Sequence, residues 1–202
     1  MRHYNLKMWN YKNEKKYSVV CLFARELGFH TLKDTIEDNF FEVKAVITHY
    51  YEPNLKTKRK LFDKYVTFCE EKSIPLVVVN KNQSNLRILK EIKFDFLIAN
   101  CYKYIIPDEF LDLAKIGSYN MHRSLLPKYK GLKPIKKALE NKEKETGTTF
   151  HRMTGVVDSG EIIDQYKVPI ERGDTEKEIF EKLYPTQYVL MKRALLKIIK
   201  GK

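Results

Sequence analysis

The chain has 202 residues, 43% of them apolar, and a formal charge of +12 from 38 Lys and Arg against 26 Asp and Glu. That size supports one domain, with or without a small appendage, and enough apolar sequence for a real core. No run approaches the ~20 apolar residues of a membrane helix, no signal-peptide stretch opens the chain, and Cys21, Cys69 and Cys101 lack zinc-site spacing, so a soluble, cytoplasmic protein without a metal is expected.

Residues 1–16 are polar and aromatic without periodicity and read as a loose arm, which leaves 17–202 as the folded domain. YSVVCLFA (17–24) is an apolar run of strand length, after which Phe29, Leu32, Ile36 and Phe40 recur at helical spacing. FEVKAVITH (41–49) alternates and is β-branched, which predicts a second strand. Leu61, Tyr65, Phe68 and Cys69 share one face of a helix over 58–73. IPLVVV (74–79) predicts a third strand, NLRILKEIK (85–93) a short helix and FDFLIANC (94–101) a fourth strand. Pro107 suits the first turn of a short helix over 107–114, and GSYNMH (117–122) is the fifth strand. A helix over 133–141 and two strands, 145–153 and 160–170, follow. Thr175 and Glu178 make a capping box for the last helix, which Pro185 is expected to bend or break. Strands alternating with helices argue for an α/β fold, doubly wound around a largely parallel sheet, with ligands at the carboxyl ends of the strands.

The basic balance points to an anionic partner, although lysines spread from Lys7 to Lys202 equally fit a lysine-rich composition. The stretch NMHRSLLPKYKG (120–131) carries the chemistry. Asn120 and His122 stand two apart on a strand, so they point to the same side. Asn can donate to a carbonyl oxygen that gains negative charge, and His moves protons near neutral pH. Asp158 lies between Gly155 and Gly160, in a loop that small residues allow to approach another closely. Residue types alone leave two readings open: a reactive trio, or a turn cap, a packed histidine and a turn aspartate. His151 reads as a strand residue with its hydrogen bonds satisfied. His3, His30 and His49 have no partner pattern.

SYNMHRSLLPKYKG followed by VVDSGEII resembles the signature of the formyltransferases that use 10-formyltetrahydrofolate, and the resemblance spans roughly residues 17–200. It implies a Rossmann-like catalytic domain over 17–202, with Asn120, His122 and Asp158 as the catalytic residues. Asn120 would polarise the formyl oxygen, His122 stabilise the oxyanion and shuttle protons, and Asp158 position His122 and a water. By the same resemblance Tyr104, Ile105, Ile106, Leu126, Gly155, Val156 and Val157 would hold the folate. The implied reaction passes a formyl group from 10-formyltetrahydrofolate to a primary amine on an anionic small molecule, with no membrane involved and an oligomer left open. Methionyl-tRNA formyltransferases in this family continue into a further domain, whereas this chain ends after a helix, so an amino sugar on a nucleotide carrier is the expected acceptor. The alternatives are methionyl-tRNA as acceptor, or a folate-binding module without turnover.

Overall fold

The computed structural model describes residues 15–49 and 56–201, so residues 1–14 of the expected arm lie outside the described residues. The most apolar runs form parallel strands: β1 (Tyr17–Phe23), β2 (Phe41–His49), β3 (Leu76–Val79), β4 (Phe96–Asn100) and β5 (Gly117–His122). Every residue of β4 is buried, and every residue of β1 except Ser18. Strands covered on both faces have no side left for polar residues. β6 (Glu145–Arg152) and β7 (Ile162–Pro169) then pair antiparallel, and the sheet runs β3-β2-β1-β4-β5-β6-β7.

Alternating residues divide the core between the two faces. Val19, Cys21, Phe23, Ile98 and Met121 pack with Leu32, Tyr65 and Leu195. These come from α1 (Arg25–Glu37), α2 (Lys56–Glu71) and α5 (Glu176–Lys200). Val20, Leu22, Leu97 and Ala99 face the other way, onto Leu86, Leu89, Ile106 and Phe110. The chain reverses its winding at β1, whose neighbours are β2 on one side and β4 on the other. The carboxyl ends of β1, β4 and β5 therefore border a crevice.

Three local expectations change. The segment at 85–93 is a 3-10 helix, Ser84–Glu91, because Leu86 and Leu89 bury at a spacing of three. The helix expected over 107–114 is a single turn, α3 (Asp108–Leu111), with Pro107 as its N-cap. It stops early because Lys115 N–H and Ile116 N–H are drawn into bonds with the Phe94 and Asp95 carbonyls. Pro185 does not break α5, whose N-terminus carries the Thr175–Glu178 capping box. Pro185 is solvent-exposed while Leu183, Thr186, Gln187 and Tyr188 around it are buried. The carbonyl freed by the missing N–H thus faces water, and burial of the opposite side keeps the helix continuous. α4 (Pro134–Glu140) starts with Pro at its first position.

Candidate active site

β4 and β5 end side by side, and β6 runs back along β5 with Asn120 opposite His151 and His122 opposite Thr149. Directly opposed residues on paired strands touch, so His151 meets Asn120. The loop after β6 returns with Asp158, whose φ of 49° is left-handed, a region that Asp tolerates better than most residues. Gly160 permits the return, since a Cβ there would stand 1.9 Å from the Arg152 carbonyl oxygen.

Four polar side chains meet at this point. Asp158 Oδ2 lies 3.2 Å from His122 Nδ1 and accepts the Gly131 N–H at 2.8 Å. Its Oδ1 is 3.4 Å from both Asn120 Nδ2 and His151 Nε2. Neighbours assign the two tautomers. His151 Nδ1 donates to the Arg152 carbonyl at 2.9 Å, which leaves Nε2 to accept from Asn120 Nδ2 at 3.1 Å. His122 Nε2 donates to the Tyr129 carbonyl at 2.9 Å. That leaves His122 Nδ1 as a bare lone pair facing a carboxylate oxygen. A proton placed between them would be held by both.

The electrostatics leave that position open at neutral pH. Burial pulls the His122 pKa below the ordinary 6.5, helped by His151 and Arg123 and opposed by Asp158 and the Tyr129 carbonyl. Burial also pushes Asp158 upward, but the His151 ring, His122 and the Gly131 N–H outweigh it and hold the carboxyl below its usual value. Of these, the Gly131 hydrogen bond persists in every protonation state of the two rings. A neutral imidazole beside a carboxylate is a proton acceptor built from two groups.

The cluster forms the floor of a cleft. Tyr102, Tyr104, Ile106, Leu111 and Met153 are on its lining, and so are Arg25, Arg123 and Leu132. Large apolar side chains stand in solvent around its mouth: Ile105 and Val156 are each 67% exposed and Leu132 is 83% exposed. Such a rim fits a flat, partly apolar ligand that covers it. The tyrosine side is backed by His49, whose ring lies 6.0 Å from that of Tyr102 and 5.8 Å from that of Tyr104.

Asn120, His122, Asp158, Tyr104, Ile105, Ile106, Val156 and Val157 all line this cleft. Leu126 and Gly155 are not on its lining. Leu126 is buried, its N–H donating to Thr149 Oγ1 at 3.0 Å and its carbonyl accepting from Gln165 at 2.9 Å. The SLLP turn is thereby tied back to β6 and β7. Gly155 sits against the Asp108 carboxylate. His151, read from the sequence as an ordinary strand residue, is 2% exposed at the centre of the cluster. Its signal is the antiparallel pairing of β5 and β6, which spacing along the chain does not reveal. Among the described residues no His, Cys, Asp and Glu group could hold a metal ion, and no helix is long and apolar enough to cross a membrane. All three cysteines are buried and free.

Known proteins share this architecture. The chain is 38% identical over 188 residues to the bifunctional polymyxin resistance protein ArnA of Wigglesworthia glossinidia brevipalpis, covering 91% of this chain and 28% of that protein. It is 33% identical over 189 residues to the methionyl-tRNA formyltransferase of Mycoplasma capricolum subsp. capricolum, covering 94% of this chain and 60% of that one. The chain thus spans less than two thirds of either relative. Among solved structures, phosphoribosylglycinamide formyltransferase from Anaplasma phagocytophilum aligns with a TM-score of 0.73 at 24% identity, over 90% of this chain and 86% of that one. WlaRD, a sugar 3N-formyl transferase determined in the presence of dTDP and 5-N-formyl-THF, aligns with a TM-score of 0.65 at 23% identity, over 94% and 65%. At those identities the structures speak for the fold. The formyl transferase model matches residues 18–195, nearly the whole described chain, and the chain belongs to the formyl transferase family.

Proposed function

We propose that this chain transfers a formyl group from 10-formyltetrahydrofolate to a primary amine. The observation that carries this reading is the 3.2 Å approach of His122 Nδ1 to Asp158 Oδ2, beside the Asn120 amide on the floor of an apolar-rimmed cleft. In formyl transfer a bond forms between the amine nitrogen and the formyl carbon, and the bond from that carbon to the folate nitrogen breaks. One proton passes from the amine to the folate nitrogen.

Each residue has a part in that exchange. The Asn120 N–H, held only loosely at 3.4 Å from Asp158, turns to the formyl oxygen as it gains negative charge. His151 keeps the amide in place by accepting its other hydrogen. The His122–Asp158 pair takes the proton shed by the amine and returns it to the leaving nitrogen. Tyr104, Ile105, Ile106, Val156 and Val157 hold the pterin, and closing over it excludes water from the pair. The donor supplies an activated formyl carbon.

The acceptor we infer is an amino sugar on a nucleotide carrier. Arg25, Lys103 and Arg123 line the cleft, and among the described residues its lining contains a single carboxylate, Asp158, already engaged by Gly131 and His122. A cleft with that balance favours an anionic acceptor. Methionyl-tRNA is a second reading, favoured by exposed lysines at 128, 130, 133, 136 and 137 on the adjoining loop and α4. The experiment is a panel of nucleotide amino sugars, their free amino sugars and methionyl-tRNA, each with 10-formyltetrahydrofolate. Turnover confined to nucleotide amino sugars is expected. Turnover of methionyl-tRNA, with binding that weakens steeply as salt rises, would reverse the choice of acceptor. Folate binding without turnover of any primary amine would refute the reaction and leave a folate-binding module.

A further inference from the structure

His122 and Asp158 are held by the backbone of one short turn. Tyr129 gives its carbonyl to His122 Nε2 at 2.9 Å, and Gly131 gives its N–H to Asp158 Oδ2 at 2.8 Å. Lys130 between them reaches Ser159 Oγ at 3.0 Å, next to Asp158. Three consecutive residues therefore fix both partners of the proton pair. The turn makes these contacts in an unusual conformation: Tyr129 has φ 58° and Gly131 has φ 79°. A tyrosine in the left-handed region is disfavoured and needs something to hold it there.

The holding contacts lie on the side of Tyr129 away from the cleft. Its hydroxyl donates to Glu143 Oε1 at 2.7 Å and accepts from Asn141 Nδ2 at 3.0 Å. Lys128 Nζ bonds the same Glu143 oxygen at 2.9 Å. Glu143 and Asn141 are themselves fixed to the end of α4. Asn141 is its C-cap, and Glu143 N–H donates to the Ala138 carbonyl at 3.0 Å. None of Tyr129, Asn141 and Glu143 lines the cleft. The base of the same turn is tied separately, by Ser124 Oγ to the Lys128 carbonyl at 2.7 Å and by Thr149 Oγ1 to the Ser124 carbonyl at 2.6 Å. The phenol clamp thus adds nothing needed to close the turn. It sets how the tip of the turn is presented.

We propose that Tyr129, Glu143 and Asn141 are positioning residues that fix the tautomer of His122 and the setting of Asp158 from outside the active site. With the phenol anchored, the Tyr129 carbonyl keeps the hydrogen of the neutral His122 ring on Nε2 and leaves Nδ1 bare toward Asp158. Without the anchor, the carbonyl and the Gly131 N–H drift, the ring loses its acceptor, and the Nδ1 tautomer gains population by donating to Asp158. That tautomer fills the proton position which the reaction needs open. The groups that face His122 are Asp158 from the loop after β6, His151 from β6, Arg123 from its own strand end and the Tyr129 carbonyl. The clamp reaches the Tyr129 carbonyl directly and Asp158 through the Gly131 N–H, and it touches neither His151 nor Arg123. Lys128, the other charge on Glu143, is exposed.

The inference rests on the proposed role of His122 and Asp158, and its test has a readout that does not need turnover. Tyr129→Phe, Glu143→Ala and Glu143→Gln are compared with the parent chain, each checked by far-UV circular dichroism and thermal melting. Two-bond proton–nitrogen spectra of the histidine rings report the His122 tautomer. The parent should show the hydrogen on Nε2, whereas Tyr129→Phe and Glu143→Ala should show both tautomers. With a working acceptor, kcat should fall ~10-fold in both variants while KM for the folate donor stays within ~2-fold, as misplaced catalytic groups produce. The acid limb of the rate profile should move to lower pH, because the lost carbonyl contact had favoured the protonated ring. Glu143→Gln keeps an acceptor for the phenol and should restore the parental tautomer and rate. A parental tautomer and pH profile in folded Tyr129→Phe or Glu143→Ala overturns the inference, as does a Glu143→Gln variant no better than Glu143→Ala. An altered tautomer in a chain that formylates no amine would keep the clamp and refute the reaction instead.

Discussion

Gly160→Ala tests the link between the packing of a loop and the chemistry it delivers. The new Cβ would stand 1.9 Å from the Arg152 carbonyl oxygen, against 3.4 Å for ordinary contact, so the two backbones must separate by about 1.5 Å. The obstacle is backbone at the end of β6 and cannot rotate away. Asp158 is two residues distant, and its bond from Gly131 is 2.8 Å long, so a shift of about 0.7 Å takes it past the ~3.5 Å limit of a hydrogen bond. Overpacking of this kind costs about 1–3 kcal/mol, which leaves a domain of ordinary stability folded. Misplacement of a catalytic group by about 1 Å lowers the rate ~100-fold. The assay is kcat with the acceptor that the parent turns over, alongside a melting curve. Gly155→Ala is the control, since its Cβ would meet only the Asp108 carboxylate at 3.0 Å, the movable end of a side chain. It should stay within ~2-fold of the parent. A folded Gly160→Ala protein with parental kcat would refute the reasoning.

Three further outcomes are expected. His122→Ala and Asp158→Asn should remain folded and lose at least ~100-fold in kcat, measured at saturating donor, and near-parental turnover in both would remove them from the mechanism. The rate should fall as pH drops through the His122 pKa, because a proton then fills the position that must accept the amine's; the midpoint should lie below the ordinary 6.5, and a midpoint above it would mean that Asp158 outweighs burial. Asp34 lies near the acidic C-terminal end of α1, where burial, then Glu37, raise its pKa to about 6 from 3.8. The folded protein binds that proton more tightly than the unfolded chain, so stability is lost as pH rises from 3.8 through about 6. Asp34→Asn should therefore stabilise the protein at pH 7 by about 1 kcal/mol, after allowance for its partial exposure, and show no advantage at pH 4 on thermal melting.

The sheet was legible because its central strands must be apolar on both faces, and runs such as YSVVCLFA and FDFLIANC have no other use in a chain of this charge. Asn120 and His122 were legible for a similar reason. A period of two at a strand end puts both heads on one side, and TGVVDSG offered a close-approaching loop for Asp158. What stayed hidden depends on contacts between distant segments. His151 enters the cluster only through the antiparallel register of β6 on β5, and nothing local distinguishes a parallel from an antiparallel neighbour. Leu126 looked like a pocket wall, but Thr149 and Gln165 claim its backbone and turn it inward. The early end of α3 follows from Lys115 and Ile116 bonding back to the chain before β4, a pairing across some 20 residues of sequence. Pro185 signalled a bend or a break because propensity is local, and the break does not occur because the burial that holds α5 together is not local.

The central claim is that Asn120, His122 and Asp158 face the formyl group of a bound folate. A crystal structure with 5-formyltetrahydrofolate, a non-transferring isomer of the donor, tests it most directly. The pterin should lie against Tyr104, Ile105 and Ile106, with Val156 and Val157 closed over it and the folate nitrogen that carries the transferable group facing Asn120 Nδ2 and the His122–Asp158 pair within about 4 Å, one hydrogen-bonded group away. A folate bound in any other cleft, with no ligand atom within reach of Asn120, His122 or Asp158, would contradict it.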